Sequence, residues 1–200
     1  MTKSVLYKWL RSDHTTPVQG VKWPKRVGAW TAEETPVLCK SGWHGVEAKD
    51  AMEHFQSGLV LWEVEVRGDR VNGGDKFAVS SMRLVREIGS PTDKTLRLLA
   101  CDIAEDVLHL YEERYPKDSR VRDCISVARR YANGEATEED RAAARAAAWA
   151  AAGAAAGVAA RDAAGAAARA AAWAAAGDAA WAAARAKYSQ WLIDAIEAQS

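Results

Sequence analysis

A cysteine and a histidine stand five positions apart in the segment Leu-Cys-Lys-Ser-Gly-Trp-His, residues 38–44. A thiol becomes a nucleophile when a base lies within hydrogen-bond reach of it. The base also needs an orienting group, and no acid for this role is evident beside Cys39 and His44. A zinc site would need two further ligands, and His54 is the nearest additional histidine. The structural alternative is a buried cysteine next to a histidine that hydrogen-bonds to the backbone.

Two more residues of the N-terminal part are candidates for ligand binding. Trp43 stands directly before His44, and we expect both to be presented on loops. Asp75 follows a glycine-rich turn that is too weak a signal to predict phosphate binding. The chain has no P-loop and no G-x-G-x-x-G, G-x-S-x-G or H-E-x-x-H motif. We therefore predict no catalytic residue, no metal ligand and no cofactor, and favour a binding protein over an enzyme.

An acidic stretch follows further along the chain. Cys101, Glu105 and His109 recur at four-residue spacing, with aspartates beside them, and could bind a cation from one side of a helix. One helix cannot enclose a metal without ligands from elsewhere, and the sequence suggests none. We expect this acidic face to stay in water or to pair with Arg130 or with arginines further along the chain.

The strongest pattern is a four-residue repeat between Arg141 and Arg185, in which arginine, tryptophan or glycine interrupts a background of alanine. Tryptophan and arginine are enriched at the hot spots of protein interfaces. The repeat therefore offers a candidate partner-binding strip, made of Trp149, Trp173, Trp181, Arg145 and Arg169. In the structural alternative, the tryptophans fill grooves between helices and the arginines stay at the solvated edge.

The same repeat predicts how this part of the chain folds. Alanine has the highest helix propensity, so the stretch is expected to be helical. A period of four drifts by about 40° per step against the helical period of 3.6, so alanine appears on every side of the helix. Such a helix should pack closely against neighbours. We expect a break between Gly153 and Gly165, which would give two antiparallel alanine-rich helices.

Composition limits the function classes. The chain has 200 residues and a formal net charge of +0, so no overall field draws it to nucleic acid or to a membrane. The three cysteines are too few and too scattered for a disulfide framework. The first residues lack the apolar core of a signal peptide, and charged residues interrupt the alanine run. We expect a cytoplasmic protein without a membrane partner.

Hydrophobic spacing predicts an α+β protein with a boundary near Ser90. Residues 1–89 form a small mixed, β-rich domain, and residues 90–200 form an alanine-rich antiparallel helical bundle. The predicted strands are Val5–Leu10, Leu59–Val66 and Phe77–Ile88, with a short helix at Glu47–Phe55 and a connecting turn at Arg67–Lys76. Ser90 and Pro91 are the expected start signal of the first long helix, and Thr137 with Asp140 that of the repeat.

Residues 5–88 resemble a domain of unknown function found in phage and prophage proteins. The resemblance is carried by L-C-x-x-G-W-H from Leu38, by the V-x-V strand at Val64 and by G-D-K-F-A-V-S-S from Gly74. Members of that family carry C-x-x-G-aromatic-H at the first of these places. The resemblance implies a phage or prophage gene and implies no reaction.

Residues 96–196 resemble an alanine-rich immunity-protein family of bacteria and phages. The matching motifs are A-C-D-I-A-E-D-V-L from Ala100, E-E-R-Y-P-K-D-S-R from Glu112 and A-R-R-Y-A-N-G-E from Ala128. The resemblance implies a role in protecting a cell from a toxin. We therefore expect a phage or prophage accessory protein that binds and occludes a bacterial host protein, in immunity-like or counter-defence fashion.

Two alternatives stay open. In the first, the protein binds or converts a small molecule in a pocket between the domains, around Cys39, His44 and Asp75. In the second, the locally basic alanine-rich helices bind nucleic acid, which the balanced overall charge disfavours. The alanine-rich helices could also close on a second copy of the chain and form a homo-oligomer.

Overall fold

A computed structural model describes the backbone of residues 5–162 and 167–199 and the side chains of residues 5–150 and 182–199. The chain divides into two compact units, one formed by Met1–Pro91 with Ala182–Ser200 and the other by Thr92–Trp181. The predicted α+β class is confirmed, with strands in the N-terminal part and helices in the C-terminal part. The unit boundary at Pro91 lies near the division predicted at Ser90, but the end of the last helix belongs to the first unit.

Among the described residues up to Pro91, the first unit contains four strands and a short 3-10 helix. They are β1 (Leu6–Arg11), β2 (Trp43–Glu47), the 3-10 helix (Ala48–His54), β3 (Leu59–Asn72) and β4 (Phe77–Gly89). The strands pair antiparallel in the order β1-β2-β4-β3, and the sheet closes on itself because β1 also pairs with β3. The three strands predicted from alternating hydrophobicity are confirmed, whereas β2 was not predicted.

The turn predicted at Arg67–Lys76 is wrong for most of its length. Strand β3 continues to Asn72, which pairs with Phe77. Gly68 has a φ of 78°, and the pairing register shifts between Arg67 and Arg70. This irregularity lets a strand pass through a glycine that looks like a turn in the sequence. The connection is therefore short, and the backbone N–H of Gly73 closes it on the carbonyl of Lys76 at 2.7 Å.

The closed sheet encloses an apolar core. As the alternation predicted, Trp62 and Val64 of β3 are buried, with Val60 and Val66 partly buried against the same cluster. Other members of the cluster come from the remaining strands and from the long connection before β2; they are Leu6, Leu10, Trp23, Trp43, Phe77, Val79, Met82 and Leu84. Burial of these side chains supplies the main driving force for this unit.

The end of the last helix packs in the first unit because its apolar residues are buried there. Tyr188, Leu192, Ile193 and Ile196 are all at most 7% exposed. The Ser189 hydroxyl accepts a hydrogen bond from the backbone N–H of Met52 at 3.0 Å, far away in sequence. These contacts explain why residues 182–200 leave the helical domain to which the sequence assigned them.

In the part of the chain that the structure describes, four α-helices follow the sheet: α1 (Asp93–Arg114), α2 (Arg120–Ala132), α3 (Glu138–Asp162) and α4 (Ala167–Glu197). The start predicted at Ser90 is wrong by two residues. Thr92 is the N-cap, and its hydroxyl accepts from the backbone N–H of Thr95 at 3.2 Å. Ser90 instead donates its hydroxyl to the carbonyl of Leu59 at 2.8 Å. The serine is therefore occupied by a strand of the sheet.

The start predicted for the repeat is confirmed. Thr137 and Asp140 exchange hydrogen bonds between side chain and backbone, at 3.1 Å and 2.9 Å, which is a capping box. Helix α3 then runs unbroken through Gly153 and Gly157 to Asp162. The rest of the interval in which a break was predicted lies outside the described residues. Of the described helices, none has both the length and the apolar composition needed to cross a membrane.

Candidate functional site

A cavity of about 460 Å³ lies in the first unit, beside the Cys39–His44 segment. Strands β1 and β2, the 3-10 helix and the connections before β2 and β4 all contribute to its lining. The residues on which the chemistry depends are Lys8, Trp23, Cys39, Trp43, His44 and Lys76. Trp43, Cys39 and His44 were predicted as binding residues, whereas the other three were not.

Two tryptophans form an apolar wall of this cavity. The rings of Trp23 and Trp43 lie 5.2 Å apart and nearly perpendicular, at 85°. Trp43 donates its indole N–H to the carbonyl of Ala32 at 2.7 Å, which fixes the ring. Trp23 is only 4% exposed, and its Nε1–H meets no acceptor in the described part of the chain. The wall therefore carries one buried hydrogen-bond donor that is still unused.

Lys8 occupies an unusual place in the sheet. Alternate residues of a strand share one face, and the neighbours of Lys8 on its face are Leu6 and Leu10, both in the apolar core. Its Nζ lies 5.8 Å from the centre of the Trp23 ring. Burial and the nearby charge of Lys76 lower the pKa of Lys8 to about 8. Among the described residues, no carboxylate lies within ion-pair distance of this ammonium.

His44 acts as a neutral hydrogen-bond acceptor. The backbone N–H of Cys39 donates to its Nε2 at 2.9 Å, which requires an unprotonated nitrogen. Burial, followed by the positive charges of Lys8 and Lys76, lowers the pKa of His44 and favours the same neutral state. The histidine therefore holds the loop at Cys39, where the backbone is left-handed with a φ of 62°.

Only one half of the structural alternative for Cys39 and His44 is found. The histidine bonds to the backbone, as that alternative expected, but Cys39 is exposed and not buried. Since the Nε2 of His44 already accepts from a backbone N–H, it is not available there to take the proton of the thiol. The geometry gives no support to a nucleophilic cysteine.

Gly42 sets the position of Trp43 and His44 on the cavity rim. Its φ is 79°, and a Cβ at this position would lie 2.9 Å from the Cα of Pro36 and from the carbonyl oxygen of Val79. Only glycine avoids both the backbone strain and this contact. The backbone N–H of Gly42 also donates to the Oε2 of Glu34 at 3.0 Å, which anchors the loop.

Asp75 is not among the residues that line the cavity, although its neighbour Lys76 is. It pairs with His54, whose Nε2 lies 3.0 Å from the Oδ2 of Asp75. Ligand atoms of Glu53, His54 and Asp75 lie within 4.8 Å of one another, so this group could hold a metal ion. The guanidinium of Arg185, however, lies 3.0 Å from the Oε1 of Glu53 and competes with any cation there.

The acidic side of α1 forms ion pairs within the helical unit. Arg129 contacts Asp102 at 2.7 Å and Glu105 at 2.6 Å. The arginine expected in this role was Arg130, which instead donates to the carbonyl of Glu135 at 3.1 Å. Cys101 is buried, and burial raises the pKa of its thiol. These groups stabilise the contact between α1 and α2.

The structure describes two of the five candidates in the alanine repeat. Trp149 is 69% exposed on α3, and Arg145, one turn earlier, is exposed as well. The side chains of Trp173, Trp181 and Arg169 lie outside the described residues. A continuous strip along the repeat stays a prediction.

Comparison with known proteins follows the same division of the chain. The model of a family described as "Imm-5 like putative immunity protein" matches residues 86–197, which is more than half of the chain. The chain belongs to this family. A second model, of a domain of unknown function (DUF7666), matches residues 4–94. The two-part resemblance is thereby confirmed, and the family description fits an immunity-like role.

All the residues that line the cavity belong to the segment matched by the domain of unknown function. No curated protein and no solved structure matches the chain. The function of the cavity must therefore be argued from its own residues.

The sequence did not single out Lys8 because both faces of its strand carry apolar residues. Tyr7 and Trp9 are buried as well as Leu6 and Leu10, so both faces of β1 look apolar in the sequence. The alternation therefore does not show which face is enclosed. A charged residue in the middle of such a strand is the one signal that could have pointed to Lys8.

Proposed function

We propose that this protein is an immunity-like factor that works by binding one bacterial protein in a fixed ratio and blocking it. The observation that carries the proposal is membership of the Imm-5 like family over residues 86–197. An immunity protein need not turn over a substrate, because occupying the active or interaction surface of its target is enough. A phage or prophage origin, with the host cytoplasm as the place of action, is part of the same proposal and rests on the sequence resemblance.

Exposed apolar side chains on the helical unit support a protein partner. Trp149 on α3 is 69% exposed. Leu110 and Val107 on α1 are 62% and 54% exposed and lie three positions apart, so they share one side of that helix. Tryptophan is the residue type most enriched at interface hot spots, and exposed large apolar groups contribute to binding when a partner covers them.

The test combines capture with protection. The full chain is tagged and made in a bacterial host, bound proteins are identified, and each is then produced alone to see whether it arrests growth. The proposal expects one partner whose growth arrest is relieved by co-expression and whose complex has a fixed ratio by light scattering. Trp149→Ala should weaken that complex at least tenfold, which corresponds to about 1.4 kcal/mol or more.

A matched control lies in the first unit. Val27 is 48% exposed, and Val27→Ala should leave both complex and protection unchanged. A captured protein that is harmless when made alone, or protection that persists without a complex, would overturn the proposal. Protection that needs a chemical change in the partner, seen as a mass shift after removal of the factor, would point to an enzyme.

A further inference from the structure

We propose that the cavity of the first unit is a binding site for a small organic anion. Lys8 and Lys76 hold its negative group, and its flat apolar body packs against Trp23 and Trp43. The proposal assigns a ligand class to the part of the chain matched by the domain of unknown function, and it is independent of the immunity-like role of the helical unit.

Size and composition suit a small molecule. Ligand pockets occupy about 300–1,000 Å³ and combine apolar walls with a few polar groups. The cavity measures about 460 Å³, and its lining joins the Trp23–Trp43 pair to three lysines and the neutral His44. A flat ligand is favoured because one of the two perpendicular indole rings presents its face to the ligand and the other presents its edge.

The unpaired charge of Lys8 indicates that the ligand is an anion. A lysine on the inward face of a closed sheet loses hydration, and the loss is offset only by a partner of opposite charge. The carboxylates of the lining already have partners. Glu34 accepts from the backbone N–H of Gly42, and Glu53 pairs with Arg185. A bound carboxylate or phosphate would give Lys8 the counter-charge that the described residues do not provide.

Trp23 supplies a second and independent observation. Its side chain lines the cavity, is more than nine-tenths buried, and carries an N–H without an acceptor among the described residues. Buried polar groups without a partner are rare in folded proteins, and each calls for an explanation. The Nζ of Lys8 lies 5.8 Å from the centre of this ring, so a ligand whose anionic group meets Lys8 lies beside an indole that the described residues leave without an acceptor.

The negative group can be a carboxylate or a phosphate. An ammonium is a compact point charge with three donors, which suits either oxyanion. Lys76 is half-buried, lines the cavity and adds a second positive charge. A phosphate would pair with both lysines more fully than a carboxylate would. The experiment therefore compares the two groups on the same naphthyl ring.

The experiment is calorimetric titration of the full chain at pH 7 with 1-naphthoate, 1-naphthyl phosphate, neutral 1-naphthamide and inorganic phosphate. The proposal expects at least one naphthyl anion to bind once per chain, and at least tenfold more tightly than the amide and than inorganic phosphate. Equal affinity for the naphthyl anions and the amide would show that charge does not contribute to binding. Equal affinity for naphthyl phosphate and inorganic phosphate would remove the role of the aromatic wall, and no binding of either naphthyl anion at millimolar concentration would overturn the site.

Two variants and a control locate the binding. Lys8→Met should weaken binding of the naphthyl anion at least tenfold and leave the affinity for the amide unchanged. Lys25→Met, at an exposed lysine outside the cavity, should change neither affinity. Trp23→Phe keeps an aromatic ring but makes the apolar wall smaller, so it should weaken binding of the anion and of the amide several-fold. Unchanged anion binding in a folded Lys8→Met protein, checked by circular dichroism, would overturn the proposal. Capture of a toxic partner by the Lys8→Met variant is measured separately, so that failure of the anion site can be told apart from failure of the immunity-like role.

Discussion

The ammonium of Lys8 lies 5.8 Å from the centre of the Trp23 ring, on a strand face that it shares with the core residues Leu6 and Leu10. A lysine at this position costs stability unless something neutralises it. This relationship links a stability cost to a binding function, since many binding sites hold charged groups that the fold alone would not retain. The first two predictions follow from it.

Replacing Lys8 by methionine should stabilise the protein at pH 7. Methionine has a similar shape and needs no hydration, so the cost of burying the ammonium disappears. We expect the free energy of unfolding to rise by about 1–2 kcal/mol, since one unit of pKa corresponds to about 1.4 kcal/mol and partial exposure reduces the effect. Urea denaturation measures it. Lys25→Met, at an exposed site, should change stability by less than about 0.5 kcal/mol.

The stability difference between Lys8→Met and the unchanged protein should disappear at high pH. The pKa of Lys8 is about 8 in the folded chain and 10.5 ordinarily, so between these values the unfolded chain binds more protons. Stability therefore rises with pH in this window as far as Lys8 is concerned. Denaturation at pH 7.5, 9 and 10.5 should show the difference shrinking steadily. A difference that is constant with pH would mean that Lys8 titrates normally.

Gly42→Ala should destabilise the first unit by about 2–4 kcal/mol. A left-handed backbone costs a residue with a Cβ about 1–2 kcal/mol, and here the Cβ also meets the backbone of Pro36 and Val79 at 2.9 Å. Gly28 is a matched control because its φ is 83° and a Cβ there would meet nothing within 4 Å. Gly28→Ala should therefore cost only the backbone strain. Equal losses in urea denaturation would show that the contact at Gly42 relaxes freely.

Arg185→Met should destabilise the protein through Asp50. The carboxylate of Asp50 is buried, and Arg185, 3.3 Å away, lowers the pKa that burial raises. Removing the cation leaves a buried acid without compensation, at a cost of about 2–4 kcal/mol. Adding Asp50→Asn should recover part of the loss, and a double-mutant cycle measures the coupling. Strictly additive losses would show that the pair contributes nothing.

Thiol labelling should divide the cysteines by burial. Cys39 is exposed and should react with a chromogenic disulfide reagent within minutes, whereas Cys101 is buried, with its thiol pKa raised, and should react only after unfolding. Cys39→Ser should abolish the fast phase. The Nε2 of His44 accepts from the backbone N–H of Cys39 and not from its thiol. Fast labelling of Cys101 in the folded protein would contradict this division of the thiols by burial.

Local patterns of residues determined much of this protein by themselves. The hydrophobic alternation of β3 and β4, the capping box of Thr137 and Asp140, and the helical character of the alanine repeat all depend on residues a few positions apart. The motifs around Leu38 and Ala100 were enough to predict the two-part family membership. Such features can be inferred from the chain because the interactions that produce them are nearly complete within one element.

Tertiary structure alone decided which face of β1 points into the closed sheet, and therefore that Lys8 lines a cavity with Trp23. It also decided that His44 supports the backbone of Cys39, that Asp75 pairs with His54, and that the end of α4 packs in the first unit. Each of these outcomes depends on partners distant in sequence. Periodicity says that a strand has two faces, but only closure of the sheet determines which of them points into the closed sheet.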